Sequence, residues 1–501
     1  LTQGAKPTTI VLERSETLSF DKKMNADCQV LRGNVVFRHD NAYMYCDSAY
    51  FYDQNNTIDA FGNIRMQQGD TLFVYGDFLH YNGDTRIAHL KGNVRMINRE
   101  TTLETDSFDY DRNQNKGYYY TGGKIYDKKN VLTSIWGEYS PSTKMSVFRE
   151  QVRLVNDEFG LGSNNLKYNT QSKIAYIIGP SLILYKEKTT IYSEDGWYDT
   201  QHEKSQLYKN SYIEQIDGKK LVGDTIFYQK KEGEGQAWGN VQLIDTAQQI
   251  TIYGKYGYYR ELDRFGLVRD SAFATEYSDK KDTLFLHADT LRTQADSVYN
   301  RLKAVSNVRF YRSNLQGKCD TLIYSTRDSL LSMYESPVIW SDTMQLSGSF
   351  IQVFKLPKDS SMVWVQGKAM GLIQEDSLRF SQLSGKSLKA FVKDKVLYKI
   401  LVEGNAESIY YPREQDGTLI GMNRTESSTL VVHVRNRKID KIVLSPGSSG
   451  VLYPELQIPD DKKQLENFDW QDTIRPKNKH DIFTRYALPP KTKKGKRVKK
   501  K

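Results

Sequence analysis

The sequence has no long apolar run, few cysteines and few prolines, and each shortage excludes a class of protein. The most apolar segment, IAYIIGPSLILY (174–185), is interrupted and falls short of the roughly 18 residues of a membrane-spanning helix, so we expect none. Three cysteines, Cys28, Cys46 and Cys319, match no metal-ligand spacing. They form either one Cys28–Cys46 bridge with a spare thiol or three buried thiols. Only 12 prolines in 501 residues argue against long linkers.

Motifs for catalysis and metal binding are also missing. The seven histidines show no H-x-H or H-x-x-x-H spacing, and there is no G-x-S-x-G elbow. The segment SGKS (384–387) ends like a phosphate loop, but Phe380 stands where its first glycine belongs. A catalytic acid pair needs one unique environment, whereas the acids here recur with a repeat. We therefore expect no enzyme activity, no cofactor and no metal site.

Charge is concentrated at the C-terminus. The net charge is +10, and KTKKGKRVKKK (491–501) carries eight of the basic residues and no acid, which leaves +2 for residues 1–490. Such a run is either a solvated end or a segment that contacts anionic lipid headgroups or nucleic acid. The rest is rich in aromatic residues (12%, with 34 Tyr), which suits half-buried strands and not disorder.

What the sequence does contain is a repeat. The line GNVVF at Gly33 returns as GNIRM at Gly62 and GNVRM at Gly92, with a step of 28 to 30 residues up to Gly239 and of 29 to 42 afterwards. About fourteen copies of about 30 residues cover 25–455. The remaining copies begin near Gly122, Glu150, Gly179, Lys209, Gly239, Asp270, Ser306, Glu335, Gly367, Glu403 and Ser445.

A second line, Asp-x-apolar-x-Tyr, lies between the copies. It reads DFLHY (77–81), DSFDY (106–110), DTIFY (224–228) and DTLIY (320–324), with NNLKY (164–168) and DTLRT (289–293) as weaker versions. Each repeat is therefore two strands joined by polar turns. No helical period of comparable strength appears, so the chain is predicted to be all-β.

Alternation with a period of two assigns the strand faces. In RIAHLKGNVRM (86–96), Ala88, Leu90, Gly92, Val94 and Met96 point one way, and the residues between them point the other. The arginines at 65, 95, 153 and 309 share the outer face. Stacking the copies predicts an apolar inner wall and a polar outer wall.

The recurring Gly-Asn and Asp positions are predicted to be structural. A glycine repeated within a strand marks a bulge or a close backbone approach, and stacked asparagines are expected to bond one another. The recurring Asp is expected to bond local backbone amides. It shares the parity of Leu79 and Tyr81, so either a bulge turns it outward or the face assignment fails there.

The alternation of G-N-V-x-apolar strands with D-x-apolar-x-Tyr strands resembles the OstA-like family, which comprises LptA, LptC and the N-terminal module of LptD in the lipopolysaccharide transport bridge. The lines that carry the resemblance, best over residues 30–130, are LRGNVVF, YCDSAYFYD, IDAFGNIRM, GDFLHYNGDTRIAHLKGNVRM and TDSFDYDRNQNKGYYYTGGKIY. The resemblance covers the first third well and the rest weakly. The chain departs from the family by its length and by its basic tail.

The resemblance implies a folded-over β-jellyroll, elongated and open along one edge, with a parallel β-helix as the alternative fold. It implies a non-enzymatic periplasmic protein of outer-membrane biogenesis that shelters the lipid A acyl chains of lipopolysaccharide in an apolar groove. Other jellyroll modules docking end to end and membrane-associated Lpt components are the implied partners, with no nucleic acid. By position, the implied lipid-lining residues are Val35, Phe37, Ile64, Met66, Leu90, Val94, Met96, Val152, Leu154, Val241 and Leu243.

Two other functions remain open on sequence alone. A polysaccharide-active enzyme on a β-helix predicts a closed core and one level of clustered acids, and a structural or adhesive repeat protein predicts no ligand. The predicted organisation is a lead-in over 1–24, OstA-like repeats over 25–250, a more irregular repeat segment over 251–455 and an extension with the basic tail over 456–501. Within the extension, FDWQDTIRP (468–476) is expected to pack back on the stack.

Overall fold

A computed structural model describes residues 8–20, 28–186, 188–277, 282–295, 299–394, 396–414, 416–435 and 438–485. The basic tail at 491–501 lies outside these residues. The chain divides into two compact units, Leu1–Trp238 and Gly239–Lys501, each described by itself. Among the described residues no helix has the length and hydropathy needed to cross a membrane.

Unit 1 is built from antiparallel strands that follow one another in sequence. Most are 11 or 12 residues long. They are β1 (Val11–Arg14), β2 (Thr17–Phe20), β3 (Cys28–His39), β4 (Ala42–Tyr52), β5 (Thr57–Gln68), β6 (Leu72–Asn82), β7 (Ile87–Asn98), β8 (Thr101–Asp111), β9 (Lys116–Tyr119), β10 (Gly123–Asp127), β11 (Asn130–Ser134), β12 (Trp136–Ser140), β13 (Met145–Val155), β14 (Phe159–Asn169), β15 (Ile174–Tyr185), β16 (Thr189–Asp199), β17 (Lys204–Gln215) and β18 (Lys219–Gln229). The division between the units falls within β19 (Glu234–Asp245).

Unit 2 continues with antiparallel strands of less uniform length, followed by four 3-10 turns. They are β20 (Ile250–Arg260), β21 (Phe265–Arg269), β22 (Phe273–Glu276), β23 (Leu284–His287), β24 (Thr290–Ala295), β25 (Asn300–Arg312), β26 (Leu315–Ser325), β27 (Leu330–Tyr334), β28 (Val338–Ser341), β29 (Met344–Ser347), β30 (Phe350–Leu356), β31 (Ser360–Gln374), β32 (Phe380–Lys393), β33 (Val396–Tyr410), β34 (Gly421–Arg435), β35 (Lys438–Ser445), β36 (Ser449–Pro454), and the turns Glu455–Gln457, Asp460–Lys462, Asp472–Ile474 and Asp481–Phe483.

The predicted all-β fold of stacked two-strand repeats is confirmed, and the alternative parallel β-helix is wrong. The described strand pairings are antiparallel, as in β5 with β6 and in β25 with β26. A parallel β-helix places equivalent strands of successive coils side by side in the same direction. Here each strand reverses at a short polar turn, so direct antiparallel neighbours form instead.

Strands β3, β5 and β7 each carry a bulge at the position that the sequence marks with Gly-Asn. Gly92 and Asn93 both take positive φ, at 74° and 45°, and the ladder skips from Phe78–Lys91 to Tyr75–Arg95. This corner divides a strand into two halves. Wall 1 contains the halves paired like 28–32 with 48–52, and wall 2 contains those paired like 35–39 with 42–46.

The corners persist where the sequence no longer reads Gly-Asn. Positive-φ pairs occur at Glu150 and Gln151, at Ser306 and Asn307 and at Glu335 and Ser336. A residue with a Cβ atom adopts this region at a cost of roughly 1 kcal/mol or more. The predicted bulge is therefore a property of the repeat, and glycine is its least strained form.

The recurring Asp sits at the corner of the partner strand, and a one-residue skip turns it outward. Gly76 and Leu79 are buried while Asp77 between them is exposed, because two residues of β7 lie opposite one residue of β6. Asn93 Nδ2 donates to Asp77 Oδ2 at 2.7 Å, and Asn63 Nδ2 donates to Asp47 Oδ2 at 2.8 Å. The asparagines thus bond the acids of the neighbouring strand, not one another as expected.

The assigned faces hold along the repeat. Ala88, Leu90, Val94 and Met96 are buried, and Lys91 and Arg95 are exposed. Arg309 shares the outer face but is only 6% exposed, because the C-terminal segment covers it. The three cysteines are buried thiols, the second alternative stated above. Burial raises the pKa of the Cys46 thiol to about 12.

Candidate functional site

The inner faces of walls 1 and 2 face each other and form a continuous apolar interior in unit 1. Phe37 of wall 2 packs against Phe51 of wall 1 with ring centroids 5.5 Å apart, and Phe159 of wall 2 meets Tyr198 of wall 1 at 4.9 Å. Aliphatic and aromatic side chains without fixed polar partners present a surface that matches alkyl chains without demanding one pose.

Nine of the residues predicted to line a groove lie on these inner faces of unit 1, and the other two, Val241 and Leu243, belong to unit 2. Ten are at most 1% exposed, namely Val35, Phe37, Ile64, Met66, Leu90, Val94, Met96, Val152, Leu154 and Val241. Leu243 is half-buried. In this conformation the walls pack directly on each other, so an acyl chain enters only if they separate.

Sequence reasoning missed the inner residues of the second strand in each repeat. Met44, Val74 and Leu103 lie on wall 2 opposite Phe37, Met66 and Met96, and are buried. The signal that could have found them is the phase change at the recurring Asp. In β6, for example, the buried residues before Asp77 have even numbers and those after it have odd numbers.

The two walls meet again at the edge opposite the corners, where the turns lie, which we call the mouth. Here side chains bridge the walls. Tyr81, the last residue of the DFLHY motif, is fully buried on wall 1, and its hydroxyl lies 2.5 Å from Nδ1 of His39 on wall 2. Tyr168 donates to Asp127 Oδ2 at 2.9 Å, and Asn98 donates to the Tyr139 hydroxyl at 2.9 Å.

These bridges repeat with the fold. The wall 2 partner precedes its tyrosine by 42, 41 and 41 residues in the three pairs His39–Tyr81, Asn98–Tyr139 and Asp127–Tyr168. Burial raises the pKa of Tyr81, Tyr139 and Tyr168, so the phenols are neutral at physiological pH. Tyr81, Tyr139 and Tyr168 are therefore buried polar bridges as well as core residues.

Four cations of the wall 1 turns add charged bridges across the mouth. Arg86 Nη2 lies 3.1 Å from Asp40 Oδ2. Arg112 donates to the carbonyl oxygen of His39 and to Asn41 Oδ1, both at 3.2 Å. It also donates to the Tyr81 hydroxyl at 2.7 Å.

The other two cations stand further along the same mouth. Lys173 Nζ lies 2.6 Å from Asp127 Oδ1, and the side chains of this pair are 13% and 3% exposed. Lys230 Nζ donates to Thr189 Oγ1 at 3.4 Å. Each of the four cations stands on wall 1 and reaches wall 2.

One depression lies away from the mouth. It has a volume of about 410 Å³ and lies at the corner of β13 and β14, lined by Ile135, Arg149, Glu150, Gln151, Asn164 and Asn165. Within the described part of the chain, no group of three or more His, Cys, Asp or Glu side chains is arranged to hold a metal ion. The inner faces and their mouth are therefore the main candidate site.

One protein family and several solved structures match parts of the chain. Residues 7–164 match the profile of a family described as OstA-like protein. Among the matching solved structures is LptH, the LptA homologous periplasmic component of the lipopolysaccharide transport device from Pseudomonas aeruginosa. It is 13% identical over 28% of this chain and 84% of that chain, with a TM-score of 0.15. No protein with a curated function matches the chain significantly.

Proposed function

We propose, on the premise that the chain belongs to the OstA-like family through residues 7–164, that it is a non-enzymatic periplasmic protein that carries lipopolysaccharide between the inner and outer membranes. In unit 1 the lipid A acyl chains would lie between walls 1 and 2, along the nine inner residues of that unit named above, and in unit 2 Val241 and Leu243 would line the corresponding interior. Other OstA-like modules and membrane-associated Lpt components would be its partners.

The observation that carries this proposal is the continuity of the apolar interior along unit 1. Each buried methylene contributes about 0.8 kcal/mol, so an acyl chain of ten or more carbons contributes several kcal/mol. That gain offsets part of the cost of separating the walls. Because equivalent side chains recur every repeat, the gain is nearly uniform along the stack and permits sliding.

Docking of a further module is supported by the first strands of unit 1. Strands β1 and β2 pair with β3 on one side and are largely exposed, and Leu18 and Phe20 are 47% and 63% exposed. An edge strand with unpaired backbone groups is a template for strand addition.

A structural repeat protein without a ligand is the second candidate, because the predicted lining is almost fully buried. If the walls never part, this interior is only a core. The two candidates differ in whether Val94 ever meets lipid.

Site-specific photo-crosslinking to lipopolysaccharide separates them. A compact diazirine amino acid is placed at Val94 and, in a matched variant, at the outward-facing Arg95. We expect labelling at Val94 alone. Equal labelling at both positions would show that the lipid only adsorbs to the protein surface. No labelling at Val94 with the lipid in excess and the β-sheet circular dichroism intact would overturn the transport proposal in favour of a closed structural repeat.

A further inference from the structure

The four cations at the mouth of unit 1 have one arrangement in common. Arg86, Arg112, Lys173 and Lys230 all belong to turns of wall 1, and each donates to a group of wall 2. If the walls separate, each cation stays on its wall 1 turn and loses its wall 2 partner. The cations would then stand in a row directly above the apolar interior.

The spacing of this row follows from the strands. Successive wall 1 turns are two strands apart, which is about 10 Å. Arg86 and Arg112 belong to successive turns and are joined by the backbone bond from Arg112 N to Arg86 O, 3.1 Å long. Two guanidinium groups therefore project from adjoining positions, while Lys173 and Lys230 each stand about 20 Å further along.

Two acids beside the arginines are engaged within wall 1. Asp84 Oδ1 accepts from Asn56 Nδ2 at 2.8 Å, and Asp111 Oδ1 accepts from the backbone amides of Asn113 and Gln114. Asp40 and Asp127 face Arg86 and Lys173 across the mouth as ion-pair partners. Both stand on wall 2 and move away with it.

We propose that this row binds the phosphate groups of an anionic lipid whose acyl chains lie between the walls. The inference rests on the proposed function and adds a headgroup site to it. Guanidinium groups donate paired hydrogen bonds that fit phosphate oxygens, and two adjoining guanidiniums fit a doubly charged phosphate monoester. On opening, the cations exchange Asp40, Asp127 and neutral acceptors for phosphate oxygens.

The exchange gives the mouth a selectivity that the interior lacks. An apolar wall accepts any alkyl chain of suitable length, so a neutral and a phosphorylated amphiphile gain equally from it. Only the phosphorylated one replaces the bonds lost when the bridges break. Opening of the walls is thereby coupled to the charge of the headgroup.

The test compares two amphiphiles with the same chain, dodecyl phosphate and dodecyl maltoside, at concentrations below those at which they form micelles. Their affinities for the full chain are measured by competition with lipopolysaccharide labelling at Val94. We expect dodecyl phosphate to bind at least about tenfold more tightly, as charge-assisted bonds to one phosphate imply. In R86Q/R112Q this preference should fall to about threefold or less, with the maltoside affinity unchanged.

Matched variants separate a headgroup site from a change in folding. K91Q/R95Q removes two charges from the exposed outer face of β7 and should leave the preference unchanged. D127N/K173Q removes the second bridge without leaving one buried charge unpaired, and should reduce the preference while the chain stays folded.

Each remaining outcome decides one proposal. Equal affinity for both amphiphiles in the wild-type chain, with labelling at Val94, would refute the headgroup site and leave the transport function standing. Loss of both amphiphiles alike in R86Q/R112Q would make the row purely structural. Absence of binding and of Val94 labelling in the wild-type chain would remove the proposed function itself.

Discussion

The outer face of wall 2 is bare in unit 1 and covered in unit 2. In unit 1 it exposes Tyr43, Val155, Leu182 and Leu184, which are 37–45% exposed. In unit 2 the equivalent face carries Trp340, Met370, Leu372 and Met422, which are at most 1% exposed. The difference is made by residues 455–485, which we call the C-terminal strap.

The strap is held by three buried glutamines that recur along wall 2. Gln382 Nε2 donates to Lys463 O, and its Oε1 accepts from Leu465 N. Gln345 makes the same pair of bonds with Asp469 O and Gln471 N. Gln316 Oε1 accepts two bonds from Arg475.

Apolar residues of the strap complete a second core on this face. Leu465 is 3% exposed, and Phe468 and Trp470 pack against Phe380 with ring centroids 5.4 and 5.1 Å away. A face of one repeat therefore becomes core or surface according to whether another segment crosses it. The strand pattern alone does not decide which.

The largest difference in stability between the two units should follow from removing the strap. Ending the chain after Pro454 should expose Trp340, Met370 and Met422 and destabilise unit 2 by more than a single core truncation. Hydrogen exchange measured by mass spectrometry should find protection lost in unit 2 and kept in unit 1. Within the strap, Leu465→Ala should cost about 2–5 kcal/mol, whereas Leu456→Ala, at a residue 98% exposed, should cost almost nothing. Equal loss of protection in both units would contradict the local role of the strap.

A second change acts on unit 1 alone. Asp127→Ala leaves the nearly buried ammonium of Lys173 without its carboxylate and removes an acceptor of Tyr168, so we expect a loss of about 3–5 kcal/mol in urea unfolding. The control is Glu100→Ala, whose partner Lys128 is 61% exposed, and it should lose less than about 1 kcal/mol. If the two variants lose the same amount, the mouth bridges contribute no more than surface pairs.

Substitutions at the corners should change stability by less, with a loss in unit 1 and a gain in unit 2. Gly92→Ala in unit 1 places a Cβ at positive φ and within 2.7 Å of Asp77 Oδ2, so we expect a loss of about 1–2 kcal/mol. Glu335→Gly in unit 2 relieves the same backbone strain and should raise stability by up to about 1 kcal/mol. Thermal unfolding of both variants checks the signs, and a loss in both would show that the side chain of Glu335 matters more than its φ.

The smallest effect is a shared loss of stability in acid. Burial lowers the pKa of His39 in unit 1 and of His287 in unit 2 below the usual value of 6.5. As the pH falls, the unfolded chain therefore binds protons at these histidines before the folded chain does. The contribution of the two neutral histidines to the free energy of unfolding is fully present above about pH 6.5. Below that pH it declines by at most about 1.4 kcal/mol per pH unit for each histidine.

Substitution separates the two histidines. His39→Gln should remove the acid dependence of hydrogen exchange in unit 1 and leave that of unit 2. His202→Gln, whose ring is 60% exposed, serves as the control and should change neither unit. An unchanged acid response of unit 1 in His39→Gln would assign it to another group.

Much of the fold could be predicted because the same residue pattern recurs along the sequence at a nearly regular step. The copies named at Asp270, Ser306, Glu335 and Gly367 all coincide with corners of positive φ, although only Gly367 of the four is a glycine. The flanking alternation of apolar residues located them. The inner positions of Val94 and Met96 followed from the same pattern.

The prediction that 468–476 packs back on the stack is confirmed, since Phe468 and Trp470 pack against Phe380. The hydrogen bonds that hold the strap and those that bridge the mouth could not be predicted, because both depend on which parts of the chain meet. Gln316, Gln345 and Gln382 look like outward polar residues of ordinary strands, and nothing near them in sequence indicates a cover. Tyr81 and Tyr168 were recognised as recurring residues and Tyr139 was not, and the partners of all three lie 41 or 42 residues earlier, on the other wall.

The corner also determines how such a chain can change length. One strand of each repeat supplies two corner residues and its neighbour supplies one. A gene duplication that adds a complete pair of strands therefore preserves the hydrogen-bond ladder on both sides. Insertion of a single strand would place two strands of the same kind side by side, and their corners would not match. Length is therefore inherited in whole pairs, each adding about 10 Å of stack. A lineage can lengthen or shorten this protein stepwise without redesigning any corner.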